Sequence, residues 1–309
     1  MLNVFLALAA IACVGAALYR LLPGLDIDST RRQCGTLVLN VLLPALNVEV
    51  IYGASLDKVL WQVPLAMLVG LLVCVASALT LFKVFAVTSK QRGSLVIGSA
   101  FGNVTYLGMP LLRGLFPEQL LHVTELAILC EITVTSSDLI TGSLLAMFYA
   151  SGGRASIRTT LGQIIKFPLL WSAAAAIVIR ILGVPLPAFL LTALHILGES
   201  ASGLMLLILG MALKPAVLRR SFDDFRKWWP LLIIKLGLSP IVVAFVGAAI
   251  GLSHLNLHAV TLEAAMPPQL FTFIVADRFG FDTELLATAV AFTTVASLIT
   301  VPITNRCLT

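Results

Sequence analysis

Charge is what this sequence has least of. Of its 309 residues only 11% are Asp, Glu, Lys or Arg, whereas a soluble domain carries about 25%. That leaves too few charges for a water-facing surface of ordinary composition, so an ordinary cytosolic enzyme is excluded. The high charge and low hydrophobicity of disordered chains are also missing. The net charge is +5, but the basic residues fall in short clusters between apolar blocks rather than along one face, so no nucleic-acid partner is expected. Metal and catalytic spacings are lacking as well. The five cysteines (Cys13, Cys34, Cys74, Cys130, Cys307) stand far apart with no CxxC, and there is no HExxH, DDxxD or HxxxxD. The thiols read as buried and inert, and neither a metal, a cofactor nor enzymatic activity is expected. The period-two alternation of a lipid-facing barrel is absent.

What the sequence has is apolar length. Apolar residues make up 59% of the chain, and the mean hydropathy is +1.03. A helix needs about 20 apolar residues to cross roughly 30 Å of hydrocarbon. Ten blocks qualify, at 1–19, 33–53, 60–82, 94–113, 120–148, 164–183, 189–213, 229–252, 258–277 and 283–304. The expected fold is an all-α membrane protein of ten transmembrane helices. The first block has no basic residue ahead of it, and Arg20 follows it, the reverse of a cleavable signal, so it reads as a retained helix. Placing the N-terminus outside puts most of the 20 Lys and Arg on the cytoplasmic side. Only Lys58, Arg113, Arg180 and Arg306 then fall outside, with Lys235 inside a span. Both termini are therefore expected on the non-cytoplasmic side. The longest polar stretch, 214–229, reads as a cytoplasmic turn with Trp228 and Trp229 as interface anchors.

An internal repeat is visible at a shift of 165 residues. It brings Arg113 onto Arg278, Phe116 onto Phe281, Leu120 onto Leu285, Asn103 onto Pro268 and Tyr106 onto Phe271. Five spans per half is an odd number, so the second repeat (164–309) is expected to be inverted relative to the first (1–150), with 151–163 as a cytoplasmic linker. Both matched spans carry helix breakers at mid-depth. Span four reads Gly102-Asn103-Val104-Thr105-Tyr106-Leu107-Gly108-Met109-Pro110, and span nine reads Met266-Pro267-Pro268-Gln269. Proline deletes a backbone donor, and unsatisfied backbone cannot face lipid. Matching breaks in two halves are the best sequence pointer to a transporter's substrate site, and half-helix N-termini suit an anion.

The strings NVTYLGMPLL at 103–112, PPQLFTFIVADRFGFDTELLATAV at 267–290 and LPALNVEVI at 43–51 resemble the auxin efflux carrier family. That family includes the plant PIN-FORMED auxin exporters and bacterial permeases for malonate or malate. The resemblance runs through all ten spans, without the long central loop of many plant members. It implies a scaffold and dimer domain from spans 1, 2, 6 and 7, and a transport domain from spans 3–5 and 8–10. Spans four and nine cross at their breaks, an anion binds between the domains, and one domain moves against the other like an elevator. By the same resemblance, Asn103 is the substrate-contacting amide of span four and Pro110 closes its motif. Pro268 and Gln269 are the Pro-Gln pair of span nine, and Asn47 is a polar residue on the scaffold side. Thr105 and Tyr106 lie within the break as further binding candidates. Glu131 stands where plant members have Gln, and Gly102 where they have Pro. These departures point away from auxin itself.

A buried charge in a span costs at least about 2.5 kcal/mol and calls for a partner or a task. Candidates are Glu49, Glu125, Glu131, Asp138, Glu199, Lys235 and Glu263. Lys235, the mid-span cation, is open to two readings: a contact to substrate carboxylate, or a structural pair. Glu131 and Glu263 are candidates for coupling. The expected function is secondary active transport of small organic anions such as malonate or malate, driven by a proton or by voltage, with sodium ranked behind. The alternatives are an exporter of auxin-like aromatic carboxylates, a membrane-embedded enzyme, or a channel. The expected setting is the cell inner (plasma) membrane, with the lipid bilayer and a second copy in a homodimer as partners.

Overall fold

The computed structural model describes residues 2–53, 59–149, 168–212 and 225–308. The expected linker at 151–163 and most of the polar turn lie outside them. The described residues form helices and one isolated β-bridge. In chain order the helices are α1 (Leu2–Leu21), α2 (Ile27–Gly53), α3 (Val59–Leu81), α4 (Ser89–Ala100), α5 (Met109–Leu115) and α6 (Leu120–Tyr149). They continue with α7 (Pro168–Ile181), α8 (Ala188–Ala212), α9 (Phe225–Ala249), α10 (His254–Ala264), α11 (Phe271–Phe279) and α12 (Thr283–Leu308). Among the described residues, six helices, α2, α3, α6, α8, α9 and α12, contain stretches long and apolar enough to cross a membrane. The expected fourth and ninth spans are each divided into two short helices, α4 with α5 and α10 with α11.

Prolines shape the helices locally. Three of them widen into π-turns, at Val38–Leu42, Val104–Gly108 and Ile234–Leu238. In each case a proline follows two residues on: Pro44, Pro110 and Pro240. Proline lacks the N–H for the usual bond, and its ring collides with the carbonyl four residues earlier. One wide turn relieves the clash, and the residue before each proline bonds five residues back, Leu43 to Val38, Met109 to Val104 and Ser239 to Ile234.

The chain divides into two compact units. One holds α3–α6 and α9–α12. The other holds α1 from Leu8 onward, α2, α7 and α8. In the latter, α1 and α8 meet backbone to backbone. A Cβ on Gly210 would strike the Ala12 carbonyl oxygen and the Ala16 nitrogen, and one on Gly15 would strike the Leu207 carbonyl oxygen. Small residues at a membrane helix crossing allow this approach. Arg180 donates to the carbonyls of Ile51 (2.9 Å) and Tyr52 (3.3 Å), capping the C-terminal end of α2.

Several expectations need correction. The stretch 83–93 left between the third and fourth expected spans is not all loop: Lys90 and Arg92 lie in the first turn of α4, because Thr88 and Gln91 form a reciprocal capping box that starts the helix there. Trp228 is not an interface anchor: it is 1% exposed and stacks on Phe292 at 5.2 Å, while Trp229 remains open. The thiols are not uniformly buried. Cys74 and Cys130 are, but Cys13 and Cys307 are exposed, and all five are free.

Candidate functional site: a crossing of two broken helices

The site is built within the unit of α3–α6 and α9–α12. Helix α4 ends at Phe101, whose backbone is extended, and Asn103 follows before the π-turn that leads into α5. Helix α10 ends at Ala264 with Ala265 as its C-cap, and Pro267-Pro268 hold the chain open until α11 begins. The two open stretches pair with each other. Gly102 and Pro268 form an antiparallel bridge. The Asn103 amide donates to the Pro267 carbonyl (2.8 Å), and the Gln269 amide donates to the Phe101 carbonyl (2.9 Å). Backbone groups that lose their helical partners in a buried place must find others. Here each break supplies the other's. The bridge pairs Gly102 with Pro268, so Asn103 and Gln269 each follow the bridging residue of their own strand. One side-chain amide therefore stands on each strand of the crossing.

Beneath the crossing lies Lys235, on the π-turn of α9 and 1% exposed. Its Nζ donates to the Ala264 carbonyl (2.6 Å) and to Ser239 Oγ (3.1 Å), and Ser239 donates to the same carbonyl (3.0 Å). Ala264 ends α10, so the ammonium caps the negative end of the first half-helix of span nine. Of the two sequence readings, the bonds seen are structural. Gly102 gives the lysine its room, since a Cβ there would stand 3.0 Å from Nζ.

Glu263, one residue before Ala264, is fully buried, and neither carboxylate oxygen has a hydrogen-bond partner. It presses against Gly108 at the end of the π-turn, where a Cβ would overlap the carboxylate. Both Glu131 and Lys235 act on it electrostatically. Gln269 is buried too. Its Nε2 donates to Asp138 Oδ2 (2.8 Å), and its Oε1 lies 3.4 Å from the Thr135 hydroxyl, which donates to Glu131 Oε1 at 2.5 Å. The other oxygen of Asp138 has no partner.

Of the candidates, Asn103, Gln269, Pro268, Lys235, Glu263 and Glu131 thus gather around one crossing. Tyr106 is buried on the π-turn, and Pro110 opens α5. Thr105 lies on the same turn, but its side chain is outside the described set. Asn47 belongs to the other unit, where its Nδ2 donates to Ser172 Oγ (3.3 Å). Two residues were not singled out for the site: Asp138, read only as a charge inside a span, and Thr135. The available signal was spacing, because 131, 135 and 138 share one face of α6.

A family described as membrane transport protein matches residues 5–304. The chain belongs to this family, that of the auxin efflux carriers. An uncharacterized transporter of Methanocaldococcus jannaschii is 26% identical over 223 residues, 71% of this chain and 69% of that protein. YfdV, an uncharacterized transporter of Escherichia coli, is 23% identical over 283 residues, 89% and 88% of the two chains. A rice protein named probable auxin efflux carrier component 1b is 29% identical over 126 residues, 40% of this chain but 21% of its own length. The chain is thus a membrane transporter of the auxin efflux carrier family, not an enzyme.

Proposed function

We propose that this auxin efflux carrier family member is a secondary active transporter of small organic anions, with malonate- or malate-like carboxylates as substrates. The observation that carries this reading is the antiparallel pairing of residues 101–103 with 267–269, with Asn103 and Gln269 one on each strand. The Asn103 side chain does not cap the turn that follows it, which leaves the amide for a ligand. In this reading Asn103 and Gln269 hydrogen-bond a carboxylate, and the half-helices starting after the breaks favour its charge. Thr105, Tyr106, Pro110 and Pro268 shape the crossing, Asn47 contributes from the scaffold, and Glu131 with Glu263 carries the coupling charge. Lys235 holds the half-helix end in place.

The wider architecture in this proposal is ten helices in two inverted repeats of five. The unit holding the crossing moves across the bilayer in an elevator cycle, and α1, α2, α7 and α8 form the scaffold of a homodimer. A proton or the membrane voltage drives the cycle, in a cell inner membrane with both termini on the non-cytoplasmic face. The basic residues that favour the cytoplasmic loops support that orientation.

The test is uptake into proteoliposomes, preceded by a thermal-shift screen of the purified protein against malonate, malate, succinate and indole-3-acetate. Saturable uptake with counter-flow identifies a carrier rather than a channel. Asn103→Ala and Gln269→Ala are expected to abolish uptake while the protein stays folded. Unchanged uptake in both removes the crossing from the site. The rice relatives favour a second reading, an auxin-like aromatic carboxylate. Stabilisation by indole-3-acetate alone would select it.

A further inference from the structure

The Thr135 hydroxyl has a single hydrogen and two acceptors in reach. Glu131 Oε1 takes it at 2.5 Å, and Gln269 Oε1 waits at 3.4 Å. Gln269 is held at its other end, where Nε2 donates to Asp138 Oδ2 at 2.8 Å. All three side chains beyond Glu131 are buried, so no bulk solvent supplies a replacement donor. A hydroxyl donates one hydrogen at a time but accepts as well. When Glu131 is ionised, it takes the threonine's hydrogen and the Gln269 oxygen goes without. When Glu131 carries a proton, its own O–H donates to Thr135 Oγ, and the threonine's hydrogen turns to Gln269 Oε1. No proton leaves Glu131 in this rearrangement. One hydrogen-bond donor is passed along the chain.

We infer that Thr135 is a positioning residue that relays the protonation of Glu131 to the Gln269 amide. With the donor passed on, Gln269 is clamped at both ends, by Thr135 on the oxygen and Asp138 on the nitrogen, and its second N–H is aimed by the clamp. This deepens the carrier proposal, on which its functional meaning rests: a proton on Glu131 prepares the amide for an anion. Titratable groups near Glu131 include Glu263 from α10 and Asp138 and Cys130 on α6 itself. Glu263 is acted on in turn by Lys235. The other helices against α6 carry their charges at their ends: Lys90 and Arg92 on α4, Arg113 on α5, Asp277 and Arg278 on α11. Helix α3 carries no charge, only Cys74.

Infrared difference spectra of the purified protein, recorded between acidic and neutral pH, test the relay. The Gln269 side-chain band is assigned by its loss in Gln269→Leu, and the Glu131 carboxyl band by its loss in Glu131→Gln. The two bands are expected to shift together in the wild type and in Thr135→Ser. The Gln269 shift should vanish in Thr135→Val, in Thr135→Ala and in Glu131→Gln. The two Thr135 truncations report independently, so failure of one to fold leaves the other. A Gln269 band that does not move in the wild type, or that still moves without the hydroxyl, overturns the relay. The spectra need no substrate. Absent carboxylate uptake with an intact coupled shift therefore overturns the carrier reading alone, and an uncoupled shift overturns the relay alone.

Discussion

The two compact units keep their polar groups in different places. In the unit of α1, α2, α7 and α8, the only buried charged or polar side chain among the described residues is Arg31, near the start of α2. Four other polar contacts of that unit join helix ends or leave both partners partly exposed: Arg180 on the carbonyls ending α2, Tyr19 on the Met211 carbonyl, Asn47 on Ser172 and His195 on Glu49. In the unit of α3–α6 and α9–α12, Asn103, Thr135, Asp138, Lys235, Glu263 and Gln269 are all buried. Burying polar groups in a span is costly, and these gather around the unwound backbone, Thr135 and Asp138 reaching it from the continuous α6. The lesson is that a broken helix and a buried polar cluster form one device. The unwound backbone needs partners such as Lys235, and the cluster needs the room that unwinding makes. The unit with unbroken close packing spends its small residues on helix contact instead.

The sharpest way to break this comparison is Gly210→Ala. The added Cβ meets the backbone of α1, at the Ala12 carbonyl and the Ala16 nitrogen, and backbone cannot swing aside as a side chain can. The helices must separate, with an expected loss of about 3 kcal/mol, read as a lower denaturation midpoint in detergent. Because no polar cluster is touched, the pH dependence of uptake by the protein that folds should match the wild type. A shift in that dependence would mean the units do not divide their tasks.

Next in size is Lys235→Met, which keeps the bulk of the side chain and removes the cap. The Ala264 carbonyl retains Ser239 as a donor, so the loss is that of one charge-assisted hydrogen bond, about 2 kcal/mol. Uptake should fall with stability, since the half-helix end is no longer held against Gly102. Full uptake at reduced stability would place Lys235 in the packing alone.

Much of this was legible before any coordinates. Proline and glycine act within a turn of themselves, so Pro267-Pro268 and the Gly102 to Pro110 run announced two breaks, and apolar length announced the helices. What closes the breaks was not legible, because it depends on bonds between residues far apart in the chain, 103 with 267 and 269 with 101. The part played by Lys235 depends on the end of α10, 29 residues away. Trp228 looked like an anchor because its neighbours are charged, yet its ring stacks on Phe292 from another helix. The π-turns before Pro44 and Pro240 follow from the same proline chemistry as the one before Pro110, and the sequence offered all three.

Gly108→Ala sharpens the comparison from the polar side. Its Cβ meets only the tip of the Glu263 side chain, which can move, so the cost should be near the low end of overpacking, about 1 kcal/mol. In a Glu263→Ala background the same change should become neutral or slightly stabilising, because alanine restricts the unfolded chain more than glycine does. A double-mutant cycle on thermal unfolding measures the coupling. Additive effects would mean that the carboxylate does not rest on Gly108.

The smallest effect is expected where the polar pair is most exposed. His195 Nδ1 lies 2.7 Å from Glu49 Oε1, but more than half of the histidine side chain is open. An exposed pair is screened and must also hold two side chains in one geometry, so it contributes less than about 1 kcal/mol. His195→Ala should therefore leave the denaturation midpoint nearly unchanged and uptake intact, although its geometry is as short as that of the buried Gln269–Asp138 bond at 2.8 Å. Asp138→Ala, which strands the buried Gln269 amide, should cost more than His195→Ala by the penalty for an unsatisfied buried donor, about 1–3 kcal/mol. Equal losses from the two would show that burial does not separate the units' polar contacts, and the distinction between them would rest on helix breaks alone.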